Sequence, residues 1–227
     1  MGGGGFSQEP GRFGLDGYVL RCARTSSPTV CFLPTASGDE PGYIADFEAA
    51  VALWKCSGWV VTLTRPSGDW REKLLSADVV YVGGGHTRTM LALWQSLDVS
   101  AVLAEAADKG AILCGVSAGA ICWFECGLSD SVEPGKLLPL TALGWLSGSC
   151  CPHYRQEPGR QETYLNAVEG GALPPGYGIE DGVAIHFKAG QRPRVIASRP
   201  DRFAFKVELG PNGVAETALP VDELVTD

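Results

Sequence analysis

Ser117 stands in the setting that a serine nucleophile needs. Gly115, Ser117 and Gly119 form a Gly-x-Ser-x-Gly turn, directly after the short apolar run AILC and directly before an apolar segment with helical spacing. A serine at a tight strand-to-helix turn has its hydroxyl exposed above the end of a sheet, with small neighbours that let the backbone reverse without clashes. The chemistry this permits is acyl transfer: the hydroxyl attacks a carbonyl, and backbone N–H groups at the helix start receive the developing oxyanion. A plain strand-turn-helix with a capping serine has the same spacing, so the turn by itself leaves both readings open.

A serine nucleophile requires a base, and the chain offers His86, His153 and His186. His153 lies in CPHYRQEPGR, a proline-flanked loop segment where a side chain can face a cleft. His186 falls inside the strand-like VAIHF, and His86 follows three glycines, which suits a substrate contact or a helix start. Position ranks His153 first, His86 second and His186 third without deciding among them. For the acid that orients the imidazole, GIEDG supplies Glu180 and Asp181, and Glu157 follows His153 by four residues; carboxylates beside glycine are also common in solvated turns. For the oxyanion, the Ala118 N–H follows the nucleophile, and Gly84 or Gly85 at the neighbouring strand end can give a second donor.

These residues need a sheet to position them. Residues 29–33, 59–63, 78–82 and 111–114 read as strands, each a short run rich in β-branched residues. Helices are expected over residues 43–56, around Met90 to Leu97, and over residues 99–109. Strands buried on both faces and separated by helices indicate an α/β fold with a mostly parallel sheet flanked by helices. In such sheets ligands bind at the carboxyl ends of the strands, where the turns after Val82 and Cys114 lie. Residues 129–151 read as turn-rich, 160–169 as a helix with Tyr164, Leu165 and Val168 on one face, and 170–178 as a loop. Residues 183–187, 195–197, 203–207 and 213–219 read as short strands of an antiparallel edge. The glycine run at residues 2–5 reads either as a flexible tail or as the turn after a first strand that is missing before Gly2.

With 227 residues the chain suits a single catalytic domain, residues 1–227. A net charge of −8 argues against nucleic acid or an anionic membrane as the main partner and favours a small peptide substrate. The eight cysteines sit mostly in apolar stretches and lack a C-x-x-C pair, so they read as reduced thiols rather than as metal ligands or disulfides. Neither a cofactor nor a metal is called for. A leader and a membrane-length apolar run are both lacking, which gives a cytoplasmic expectation; homo-oligomerisation stays open.

The combination VGGGHT, GVSAGA, CPHY and GIEDG, with the GGGGFS opening and LPTASGD, resembles peptidase family S51, which includes peptidase E and, more distantly, cyanophycinase. The resemblance spans nearly the whole chain. It implies a fold similar to class I glutamine amidotransferases with serine at the elbow in place of cysteine, and a serine-type mechanism acting on dipeptides with N-terminal aspartate. Carried over by motif, Ser117 is the nucleophile, His153 the base and Asp181 the acid, with Glu180 as the alternative. Arg88, Arg155 and Arg160 are candidates for holding the substrate aspartate. The chain departs from the pattern in reading GGGH where GGGN is usual. Two other classes compete: an α/β-hydrolase-type esterase using Ser117, Asp181 and His186, and a non-catalytic binding or regulatory member of the amidotransferase-like fold.

Overall fold

The computed structural model describes residues 1–9, 13–54 and 56–225. Two compact units are formed, one by Asp16–Gly119 and one by Met1–Leu15 together with Ala120–Asp227.

The first unit is built on the apolar runs. After helix α1 (Gly14–Cys22), strand β1 (Thr29–Leu33) is followed by α2 (Pro41–Trp54), β2 (Ser57–Val60), α3 (Trp70–Leu75), β3 (Val79–Val82), α4 (Thr87–Leu97), α5 (Val99–Asp108) and β4 (Ile112–Gly115). The sheet runs β2-β1-β3-β4 and every pairing is parallel. Consecutive residues of β1 and β3 are buried, from Val30 to Leu33 and from Val79 to Val82, so both faces are covered. On the helices the buried positions follow the helical period: Met90 and Trp94 of α4, and Val99, Val102, Leu103 and Ala106 of α5. Phe47 of α2 stacks on Phe32 of β1 with ring centroids 4.8 Å apart. Helix α2 starts at Pro41, where the missing N–H costs nothing, and Glu40 accepts from the Gly42 and Tyr43 amides at 2.8 and 2.6 Å. Of the expected helix 43–56, Lys55 lies outside the described residues.

The second unit holds a short helix α6 (Ala118–Ile121), strands β5 (Phe124–Glu133), β6 (Lys136–Thr141) and β7 (Leu146–Pro152), helix α7 (Arg160–Glu169), and strands β8 (Gly176–Ile179), β9 (Val183–His186), β10 (Arg194–Ala197), β11 (Ala204–Gly210), β12 (Gly213–Ala218) and β13 (Glu223–Leu224). Six of these strands form one sheet in the order β12-β11-β8-β7-β5-β6, and three form another in the order β13-β10-β9. Within the larger sheet β7 runs parallel to both β5 and β8. Helix α7 buries Tyr164 and Val168 against Leu128, Cys151, Tyr154, Leu173, Phe205 and Val207, with Leu165 packed at the margin.

Four expectations are corrected here. The turn-rich reading of residues 129–151 fails: β5, β6 and β7 occupy most of that stretch. Their serines and glycines hide the strand signal because the polar groups are satisfied inside. Ser129 and Ser131 bond each other at 2.7 Å, and Ser149 bonds the Tyr164 hydroxyl at 2.7 Å and the Pro174 carbonyl at 2.6 Å. The apolar segment after Ser117 makes only the four-residue α6 before the chain turns into β5. Finally, residues 2–5 are no flexible tail. They are buried, Gly2 N–H donates to Val183 O at 3.0 Å, and Gly182 N–H donates to Gly3 O at 3.0 Å. The late strands also divide between two sheets, β9 and β10 in one and β11 and β12 in the other, instead of sharing a single edge.

Candidate active site

The serine turn is assembled by neighbouring parallel strands. Val82 of β3 lies opposite Gly115 of β4, and Val116 N–H donates to Val82 O at 3.1 Å, extending the ladder by one bond past the strand. The next residue, Ser117, has φ 56°, the left-handed region that an L-residue occupies at a cost of about 1–3 kcal/mol. What holds it there is close backbone contact on both sides. A Cβ on Gly115 would lie 2.2 Å from Gly119 O, and one on Gly119 would lie 2.2 Å from Val82 O. Glycine at both positions is therefore a packing requirement of the turn.

The three glycines after β3 lie against this serine. A Cβ on Gly84 would be 3.3 Å from Ser117 Cβ and 3.9 Å from its Oγ, so the glycine turn runs alongside the hydroxyl with no side chain between. Gly84 N–H donates to the Tyr43 hydroxyl at 3.3 Å. The N–H groups of Gly85 and Ala118 make no hydrogen bond among the described residues. Gly85 has φ 134°, and a Cβ there would meet Ala36 O at 2.3 Å.

The candidate base and acid are placed in the other unit by the same device. Strands β7 and β8 are parallel with Pro152 opposite Ile179, so both chains leave the sheet at one edge. His153 is the first residue beyond β7, and Glu180 and Asp181 are the first two beyond β8. Tyr154 N–H donates to Ile179 O at 3.2 Å, and the His153 backbone has φ 54°, which turns the imidazole out of the strand line. His153 Nδ1 and Asp181 Oδ1 are 2.7 Å apart. A carboxylate only accepts, so in the neutral imidazole Nδ1 carries the proton and Nε2 has the lone pair that a general base uses. The His153 side chain is 13% exposed and that of Asp181 38%. Asp181 N–H donates to Gln156 Oε1 at 3.0 Å.

Glu180 takes a different part. Its residue is 4% exposed, and its Oε2 accepts from Phe203 N–H at 2.9 Å, with Glu180 N–H donating to Phe203 O at 3.2 Å. The side chain closes the 201–203 turn and leaves His153 to Asp181. We expect Glu180→Ala to cost about 1–3 kcal/mol of stability, since it removes a part-buried hydrogen bond from Phe203 N–H to a carboxylate. Acylation of the folded protein is expected to stay within a few fold of the parent, whereas Asp181→Ala reverses the pattern. Urea titration paired with an acylation rate separates the two.

The remaining candidates are placed as follows. His86 is the N-cap of α4: its Nδ1 accepts from Thr89 N–H at 3.2 Å and lies 2.8 Å from Thr89 Oγ1. His186, the last residue of β9, sits opposite Arg194, and burial, then Arg194 and Lys188, push its pKa down. Glu157 pairs with Arg160, Nε to Oε2 at 2.7 Å, and Arg160 is buried with Nη1 on Leu128 O. Arg155 holds Glu216 at 2.6 Å and covers the Phe205 ring at 4.0 Å. Arg155 and Arg160, two of the three cations expected to hold a substrate carboxylate, are each paired with a carboxylate of the protein itself. Arg88 is exposed on α4. The eight cysteines are all free thiols, and burial pushes Cys114 and Cys122 up, away from the thiolate a cysteine nucleophile would need.

Sequence reasoning passed over Gln156 and Gly3. Gln156 follows His153 by three residues, the distance at which one turn of chain returns a side chain to its start. Gly3 was visible as part of a glycine run, but its partner in the Asp181 loop was not.

Comparison with known proteins places the chain among peptidases. The model of "Peptidase family S51" matches residues 1–194. The peptidase YgaJ of Bacillus subtilis (strain 168), itself uncharacterised, is 42% identical over 225 residues, covering 99% of this chain and 97% of that protein. Among solved structures, a peptidase from an acI-B1 Actinobacterium superposes with TM-score 0.64 at 16% identity, covering 94% of this chain and 90% of that one. A protein assigned to peptidase E from Listeria monocytogenes EGD-e does so with TM-score 0.60 at 19% identity, covering 89% of this chain and 92% of that one. At these identities the two structures speak to fold, and the fold is the mixed α/β architecture with a helix-flanked parallel sheet. Among the described residues no helix is long and apolar enough to cross a membrane.

Proposed function

The chain belongs to peptidase family S51, and from that premise we propose that it is a serine peptidase that hydrolyses small peptides, dipeptides with N-terminal aspartate above all, through an acyl-enzyme. The observation that carries the reading is the 2.7 Å contact between His153 Nδ1 and Asp181 Oδ1, which fixes the tautomer that a serine base requires. In the proposed reaction Ser117 Oγ attacks the scissile carbonyl while His153 Nε2 takes its proton. Asp181 stabilises the imidazolium and holds the ring in orientation. The Gly85 and Ala118 amides receive the oxyanion, each worth about 3 kcal/mol in the transition state, and Gly84 supports the turn through Tyr43. His153 then returns the proton to the leaving amine, and water releases the acid by the same steps in reverse. This reading treats residues 1–227 as a single catalytic domain, with no metal or cofactor in the chemistry.

The esterase arrangement would require Asp181 to serve His186. Asp181 Oδ1 is engaged with His153, and His186 faces Arg194 across the strand pair. A dipeptide panel tests the substrate. Asp-X peptides are expected to be cleaved at least tenfold faster, in kcat/KM, than Glu-X, Ala-X or isoaspartyl peptides, a discrimination of about 1.4 kcal/mol. Preferred cleavage of another class would overturn the aspartate specificity and leave the peptidase. A folded protein that cleaves no peptide and takes up no serine-directed probe would favour the non-catalytic reading.

A further inference from the structure

Asp181 is 38% exposed at its side chain, yet its Oδ1 must stay in line with His153 Nδ1. Contacts on three sides hold the loop that carries that oxygen. Gly3 forms a parallel bridge with Asp181, and a Cβ on Gly3 would lie 2.2 Å from Asp181 Oδ1, the same atom that accepts from the imidazole, and 2.6 Å from its Cγ. Gly182, next in the loop, is held from both sides: its N–H donates to Gly3 O at 3.0 Å and its O accepts from Ser198 N–H at 2.8 Å. On the third side stands Gln156. Its backbone N–H donates to His153 O at 3.2 Å and its Oε1 accepts from Asp181 N–H at 3.0 Å, so one residue ties the base to the acid.

The glycine segment is itself anchored. Buried Glu9 sits at its far end, with Oε1 on Arg199 Nε at 2.9 Å and Oε2 on Ser198 Oγ at 2.9 Å. Between them, Gln8 Oε1 accepts from Gly4 N–H at 2.6 Å. The segment therefore cannot drift away from the Asp181 loop without breaking a backbone ladder at one end and the hydrogen bonds of the buried Glu9 carboxylate at the other.

We propose that residues 2–9 and Gln156 are a positioning frame for the acid, in which Gly3 defines the space Oδ1 can occupy and Gln156 couples it to the His153 turn. The inference rests on the Ser117–His153–Asp181 reading. Gly3 and Gln156 touch no reacting atom and act through Asp181. A methyl group on Gly3 would have to rotate the carboxylate off the imidazole, and misplacement on the scale of an ångström costs about 10²-fold in rate.

The test uses the full chain with Gly3→Ala, Gln156→Leu and Asp181→Asn, each checked for folding by circular dichroism. Peptide kcat and KM are read together with the low-field proton resonance of His153 Nδ1–H. The expected result is a fall of about 10²-fold in kcat for Gly3→Ala, and a smaller one for Gln156→Leu, with KM within about twofold and the resonance shifted or lost in both. If Gly3→Ala does not fold, Gln156→Leu decides alone. Parental kcat and an unmoved resonance in the folded variants, beside a strongly impaired Asp181→Asn, would overturn the frame and keep the triad. A fully active Asp181→Asn would overturn the triad reading, and the frame with it.

Discussion

Replacing Ser117 with alanine is expected to lower kcat by about 10⁴- to 10⁶-fold while leaving the fold intact. The argument has two halves. Removing Oγ removes the only bond-forming atom that the mechanism assigns to the protein, and what survives is the stabilisation from oxyanion donors and substrate binding, about 10³- to 10⁴-fold over water in serine hydrolases generally. The fold should persist because the turn is set by Gly115 and Gly119, whose missing side chains admit Gly119 O and Val82 O, and not by the serine hydroxyl. Alanine inherits the φ of 56° with the same Cβ penalty that serine already bears. Parallel measurement of kcat and of thermal unfolding checks both halves; activity retained above a tenth of the parent would remove Ser117 from the chemistry.

The second large effect distinguishes the histidines. His153→Ala is expected to slow acylation by a serine-directed fluorophosphonate by about 10⁴-fold or more, and His186→Ala by less than about threefold. Both residues follow or end a strand and both are partly buried, so exposure does not separate them. Their partners do. His153 donates through Nδ1 to a carboxylate, which would stabilise the imidazolium that the proposed proton transfer forms. His186 faces Arg194 and has Lys188 nearby, and burial and these cations disfavour the imidazolium. A proton acceptor in that setting would be working against its own surroundings. Equal sensitivity of acylation to both replacements would contradict the assignment.

What could be read from the chain and what could not divides along physical lines. Strands β1 and β3 were legible because they are buried on both faces, so nearly every residue is apolar and the run announces itself. Helices α4 and α5 were legible because one face is buried and the period shows. Strands β5 and β7 were not: they carry Gly127, Ser129, Ser131, Gly148 and Ser149, and the Ser149 hydroxyl finds its Tyr164 partner only once α7 has packed on the sheet. Helix α3, six residues long, was missed because it holds fewer than two helical turns.

In the candidate site the Gly-x-Ser-x-Gly turn is a local feature, and local features survive in sequence. The choice between Glu180 and Asp181 is not local. Successive residues past the end of β8 send their carboxylates to different partners, Phe203 N–H for one and His153 for the other, and only the register of β7 against β8 settles which is which. Gly3 illustrates the same limit from the other side. A glycine run signals close approach, but the approaching atom, Asp181 Oδ1, lies at the opposite end of the chain.

The central claim is that Ser117 forms a covalent acyl-type adduct with His153 as its base, and adduct mapping tests it most directly. The parent protein and His153→Ala are treated with a fluorophosphonate, digested and analysed by mass spectrometry. The account predicts a single adduct on the peptide bearing Ser117 in the parent, and on the same time scale almost none in His153→Ala. An adduct on a different residue, or equal labelling of Ser117 in both proteins, would contradict it.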